Sequence, residues 1–236
     1  MKRRIVKGIS AGALLAGMTL APASTAHAVD ICDPSQATIL GTTGNNTIYG
    51  TSGNDVIITL GGDDVIYGGG GNDRICAGDG NDRLFGNDGN DDLHGGSGKD
   101  HQVGGSGADT SFGGPQDDTL IDDTLLGANG SNVDQLYGND GNDLIDVRAG
   151  DYANGFTNGR IVQGNDGDDT VYGSNYGDSI QGGYGNDKLY GLFGYDYVNG
   201  GAGNDYISGG GNYYDDLDGS TGYDTCLGGR TVNCEA

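Results

Sequence analysis

Gly41-Thr-Thr-Gly-Asn-Asn-Thr-Ile-Tyr49, Gly50-Thr-Ser-Gly-Asn-Asp-Val-Ile-Ile58, Thr59-Leu-Gly-Gly-Asp-Asp-Val-Ile-Tyr67 and Gly68-Gly-Gly-Gly-Asn-Asp-Arg-Ile-Cys76 follow one another without a gap. Each has nine residues, and nine such units run in register from Gly41 to Ile121. In each unit the first six residues are turn formers and the last three are strand formers. Position 4 is usually Gly, position 5 Asn or Asp, position 6 Asp and position 8 a branched aliphatic. An acidic disordered tail would not place an aliphatic side chain two residues after each Asp. Self-similarity at so short a fixed period describes an array of stacked units, not a globular domain.

The unit dictates its own geometry. In a three-residue strand such as Arg74-Ile75-Cys76, one side chain faces one way and two face the other. Ile75 can point inward while Arg74 and Cys76 point outward. The six residues before the strand reverse the chain, because Gly tolerates positive φ and Asn and Asp tolerate the left-handed region. Two units therefore close one coil of 18 residues, and successive coils stack as parallel strands in two facing sheets. The fold class expected is all-β, a parallel solenoid. The inward position holds Ile48, Ile57, Ile66, Ile75, Leu84, Leu93, Leu120, Leu136, Ile145, Val171, Ile180, Leu189, Val198, Ile207 and Leu217. Gln102 and Ser111 fall at the same position one unit apart, and are expected to face each other as a weak polar layer. On one outer face Tyr49, Tyr67 and Phe85 recur every 18 residues, as Tyr172 and Tyr190 do later. Packing between neighbouring strands accounts for such a ladder. His94 and His101 fall on outward positions and read as surface residues, not zinc ligands.

Outward from the regular block, the chain divides further. Residues 1–28 read as a signal peptide: Lys2, Arg3, Arg4 and Lys7 precede a short apolar run, and Ala26-His27-Ala28 resembles a cleavage site. Residues 29–40 form an N-terminal cap, 41–121 the first block and 122–163 an irregular stretch with insertions near Asp122–Ala128 and Val147–Asn154. Residues 164–227 form a second block, with one extra residue at Asp215-Asp216, and 228–236 close the chain. Atypical terminal units protect strand edges that an array would otherwise expose.

The chain carries a net charge of −23, and removing residues 1–28, with four basic residues and no acid, takes it to −27. Of its 34 acids only Glu235 is not Asp. Asp is the residue chosen where a short side chain must bond its own turn and reach a cation. Such a charge argues against nucleic acid as a partner and against an anionic membrane surface. No segment after residue 28 is apolar for long enough to be a transmembrane helix. Cys32, Cys76, Cys226 and Cys234 are an even set in an exported chain, which allows three pairings. Proximity favours Cys226 with Cys234, and elimination then leaves Cys32 with Cys76.

The unit resembles the Gly-Gly-x-Gly-x-Asp-x-U-x nonapeptide of the repeats-in-toxin (RTX) family. The resemblance covers nearly all of the chain after residue 28. It implies a right-handed parallel β-roll in which the position-6 Asp and turn carbonyls of adjacent coils share calcium ions. The residues that inherit this role are Asp55, Asp64, Asp73, Asp82, Asp91, Asp100, Asp109, Asp118, Asp134, Asp143, Asp169, Asp178, Asp187, Asp196, Asp205 and Asp224. Asn46 and Arg160 interrupt the columns, so sites there are expected to be weak or absent. Pairs 18 residues apart predict on the order of ten Ca²⁺ per chain, one for each pair of stacked turns. With one inward aliphatic per nine residues, the core looks too thin to order the chain without metal. A secreted calcium-binding protein with a structural or surface-associated role follows. Adhesion, or binding of a glycan, ice or a protein through a strand face, is the alternative. An enzyme is not expected: H-E-x-x-H and G-x-S-x-G are absent, and no stretch outside the repeats is long enough for a catalytic domain. Relatives in this family commonly lack Cys and carry a C-terminal export signal, so a toxin role and the family's usual secretion route do not carry over.

Overall fold

The structure, a computed structural model, describes residues 4–5, 32–122, 133–148, 159–211 and 214–234. The segment expected to be a signal peptide and most of both insertions lie outside the described residues, except for a two-residue strand, Arg4–Ile5, parallel to Ile39–Leu40. Apart from a short 3-10 turn at Pro34–Gln36, every regular element is a strand, and all the pairings are parallel. Alternate strands belong to a 12-stranded and a 10-stranded sheet, so the chain crosses from one sheet to the other at every nonapeptide.

Register follows the repeat. In the 10-stranded sheet Ile48, Ile66, Leu84, Gln102, Leu120, Ile145, Val171, Leu189 and Ile207 lie opposite one another in turn. In the 12-stranded sheet the file is Ile39, Ile57, Ile75, Leu93, Ser111, Leu136, Val162, Ile180, Val198 and Leu217. All the inward aliphatics named from the sequence are buried, and Val162 joins them. Many strands are six residues long, not three: Val65–Gly70 and Arg83–Asp88 pair along their whole length, so the first half of the turn continues the ladder. Both sheets cross the irregular stretch without losing register, Thr110 pairing with Gln135 and Gln135 with Ile161.

The core is not continuous. One apolar cluster runs from Ile39 to Leu93 and a second from Leu120 to Leu217. Gln102 and Ser111 stand between them, both buried. The Gln102 amide donates to the Phe112 carbonyl at 2.7 Å, while its Oε1 has no partner.

Both disulfides join the cysteines that proximity and elimination favoured, Cys32–Cys76 and Cys226–Cys234. The first bonds the N-terminal cap to an outward position. Cys76 and Ile58, outward by strand alternation, are consequently buried beneath Ala37, with Cys32 packed beside them. The aromatic files stack at about strand spacing. Tyr49–Tyr67 and Tyr67–Phe85 ring centroids are 5.0 and 4.9 Å apart, and Tyr172–Tyr190 are 5.0 Å apart. A further file, His94–Phe112–Tyr137, has 4.9 Å steps. His94 Nε2 also lies 2.8 Å from Asp92 Oδ1.

Candidate metal centre

Stacked turns place each position-6 Asp above the next. The Asp55 N–H donates to Asp73 Oδ1 at 2.8 Å, Asp73 to Asp91 at 2.8 Å and Asp91 to Asp109 at 2.8 Å. On the opposite edge Asn46 donates to Asp64, Asp64 to Asp82, Asp82 to Asp100 and Asp100 to Asp118. The files continue through the irregular stretch with longer sequence steps, Asp109 to Asp134 and Asp118 to Asp143 over 25 residues and Asp143 to Asp169 over 26. They then resume as Asp169–Asp187–Asp205–Asp224 and Asp178–Asp196–Asp215. One carboxylate oxygen of each Asp thus fixes the neighbouring coil's backbone.

The other oxygen is the one left for chemistry. Asp64, Asp73, Asp82, Asp91, Asp100, Asp109, Asp118, Asp143, Asp169, Asp187, Asp196, Asp205, Asp215 and Asp224 all have a buried Oδ2 without a hydrogen-bond partner. Leaving so many buried acceptors unsatisfied is costly, so a ligand is called for. The position-1 glycines show where it fits. A Cβ on Gly68 would lie 2.5 Å from Asp73 Oδ2 and 2.6 Å from the Gly86 carbonyl oxygen. The same pairing of a carboxylate oxygen with the next coil's carbonyl recurs at Gly86, Gly95, Gly113, Gly138, Gly164 and Gly182. Each is a small space bounded by oxygens, open only because glycine has no side chain.

Among the described residues no three His, Cys, Asp or Glu side chains converge as a metal-binding group. The cradles are bounded by carboxylate and backbone carbonyl oxygens, with the Gln102 amide nitrogen also close at Gly95. That composition suits a hard cation such as Ca²⁺, which takes about six to eight oxygens, better than a transition metal.

Three of the expected ligands differ from the rest. Asp55 already accepts from Thr51 N–H at 2.7 Å, from the Thr51 hydroxyl at 2.8 Å and from the Thr38 hydroxyl at 3.0 Å. Asp178 accepts from the Ser174 N–H and hydroxyl. Asp134 lies against the Arg160 guanidinium. Conversely, Asp215 completes its file although the extra residue beside it obscured its register in the sequence.

Metal-free, the columns hold charge poorly. Burial, reinforced by repulsion from neighbouring aspartates, pushes Asp73 up to about 6, Asp82 to about 7 and Asp118 to about 8. Burial likewise raises Asp109 and Asp169 to about 8, and Asp187 and Asp196 to about 7. The backbone N–H bond from the preceding coil opposes these shifts without cancelling them.

Parallel coils with acidic, glycine-cradled turns define a β-solenoid of the calcium-binding type. The family model of the RTX calcium-binding nonapeptide repeat (4 copies) matches residues 40–75, 75–101, 103–121, 122–152, 163–198 and 181–214. The chain belongs to this family. No curated protein matches it significantly.

Proposed function

We propose that the protein is a secreted calcium-binding β-roll without catalytic activity, with a structural or surface-associated role, whose coils order when Ca²⁺ binds between stacked turns. The observation that carries this reading is the row of partnerless Asp Oδ2 atoms, most of them beside a position-1 glycine; at Asp64 and Asp82 that position is Thr59 and Ala77. Bound calcium supplies the positive charge that lets neighbouring carboxylates remain ionised at about 4.8 Å strand spacing. The chain's part is to hold those oxygens in line through the Asp N–H ladder and, at most coils, to keep side chains out of position 1 with glycine. On the order of ten ions fit the number of stacked pairs, at affinities of roughly 10⁻⁴–10⁻³ M, sufficient outside a cell. Two disulfides support an extracellular setting. No helix among the described residues is long and apolar enough to cross a membrane.

The test is circular dichroism and small-angle scattering of the purified chain with calcium and after exhaustive metal removal at neutral pH. Loss of the β signal and an expanded chain without metal are expected, with recovery on adding calcium. An unchanged compact β-structure after stripping refutes metal-coupled folding.

A second reading, ligand binding through a strand face, draws on one feature. Gln163, Gln181 and Asn199 stack in register beside Tyr197, lining a groove of about 120 Å³ on the outside of the 12-stranded sheet. Amides beside an exposed aromatic ring suit a sugar. A glycan array with calcium present, repeated with Tyr197→Ala, separates the readings: specific binding lost in the variant favours this one.

A further inference from the structure

One turn column changes character at its middle. Backbone bonds identify Gly50, Asp122, Val147, Gly173, Gly191 and Gly209 as its position-1 residues, each N–H donating to the next coil's last strand residue. Asp122 and Val147 therefore stand where the other coils have glycine. At position 6 the file runs from Asp134 to Arg160 and then Asp178: the Ile161 N–H donates to the Asp134 carbonyl, and the Arg160 N–H donates to Asp178 Oδ1 at 2.7 Å. Arg160 thus occupies an aspartate's place in the ladder and keeps its backbone bond.

Its side chain is as informative. The guanidinium is 5 % exposed, forms an ion pair with Asp122 and lies 3.2 Å from Asp134 Oδ2. Val147, at position 1 of the next turn, is fully buried and belongs to the apolar core. The cavity beside Asp109, Asp122 and Asp134 measures about 10 Å³, little more than the space of one water. A buried guanidinium is stable only when paired, and here the two carboxylates that begin and end the neighbouring coil's turn pair it.

We propose that Arg160 is a resident cation, taking the place of a metal ion where its own turn meets the turn that runs from Asp122 to Asp134. The inference rests on the calcium reading of the other turns. At this step charge neutralisation is written into the chain and does not vary with metal concentration. It falls on the two adjacent coils in which the sequence inserts residues after Asp122 and after Val147, where the glycine cradles are lost. The repeat's usual means of joining coils is missing there, and the guanidinium replaces it.

Native mass spectrometry of the full chain at saturating calcium, counting bound ions, tests this with Arg160→Gln, Arg160→Lys and the double variant Asp122→Asn/Arg160→Gln. Arg160→Gln is expected to fold and carry one calcium more than the unmodified chain, with a steeper dependence of folding on calcium. Arg160→Lys, which keeps the charge, and the double variant, which removes both charges, are expected to keep the original count. An unchanged count in Arg160→Gln, its failure to fold at saturating calcium, or an extra ion in Arg160→Lys overturns the inference. If the unmodified chain binds no calcium, the proposed function falls and the inference with it. If it binds calcium but Arg160→Gln gains none, only the inference falls.

Discussion

Two side chains of each turn repeat the same task in opposite directions. At position 6 the backbone N–H donates forward, to the Asp Oδ1 of the next coil. At position 5 it donates backward: Asp63 to Asn45 Oδ1, Asn81 to Asp63 and Lys99 to Asn81. The position-6 donors are buried and those at position 5 exposed, and short side chains of neighbouring coils pair both. The residue types are plain in the sequence, where turn preference alone accounts for them. The inter-coil bonds become visible only when 18-residue stacking is given three dimensions. Position 1 has a different requirement. Gly86 needs no positive φ, so alanine suits its backbone, but a methyl group would meet Asp91 Oδ2 and the Gly104 carbonyl. Gly86→Ala is expected to fold with calcium yet lose affinity at the Asp91 turn, costing about 1–3 kcal/mol. Gly44→Ala, with nothing within 4 Å of the added carbon, is the control. Isothermal titration of both variants against calcium checks this; equal binding would remove the cradle from the argument. Ala77 and Thr59 already stand at position 1 in the chain, and the Thr59 hydroxyl donates to the Ala77 carbonyl at 2.6 Å, so the Asp64 and Asp82 turns should be the weaker sites of their file.

At the scale of strands, each nonapeptide contributes one inward side chain, and that chain bears nearly all of its apolar packing. Leu84 is fully buried between Ile66 and Gln102 in its file. Leu84→Ala is expected to lower stability in calcium by about 2–5 kcal/mol, read from denaturant midpoints. Much less than this would mean that the turns, not the core, dominate the coil. The inward file was legible because a period of nine fixes which residue faces in, and Gln102 and Ser111 stood out for the same reason. Val162 was missed because the insertion before it displaced the local register. Cys76 and Ile58 look exposed by alternation alone; their burial depends on the cap folding back, a long-range contact that no local pattern encodes. Arg160 was read only as an interruption of its column. Its partner Asp122 is 38 residues away, and the pairing emerges only after two insertions are threaded through the stack.

For the molecule as a whole, metal and protons compete for the same oxygens, and the sign of the competition can be derived. In the unfolded chain Asp titrates near 3.9. In the metal-free coils burial raises Asp73 and Asp91 to about 6 and Asp109, Asp118 and Asp169 to about 8. Between those limits the folded state binds more protons than the unfolded one, so its stability falls as pH rises. That contribution is complete below the unfolded value and is lost as pH climbs through roughly 6 to 8. Metal-stripped protein should therefore show more β-structure at pH 5 than at pH 8. Calcium adds no proton dependence of its own in this range, because the unfolded chain and the calcium-loaded roll both carry ionised carboxylates there. Because protons stabilise only the metal-free roll, the calcium concentration needed for half-folding should rise or stay level as pH is raised from 6 to 8, and calcium-driven folding of the unfolded chain at pH 7 should release few protons into a weak buffer. A stripped chain whose β signal grows with pH, or a half-folding calcium concentration that falls as pH is raised, would contradict the idea that the aspartate columns are the molecule's opposing charge. If both trends appear, these columns couple the order of the roll to both the calcium and the acidity around it.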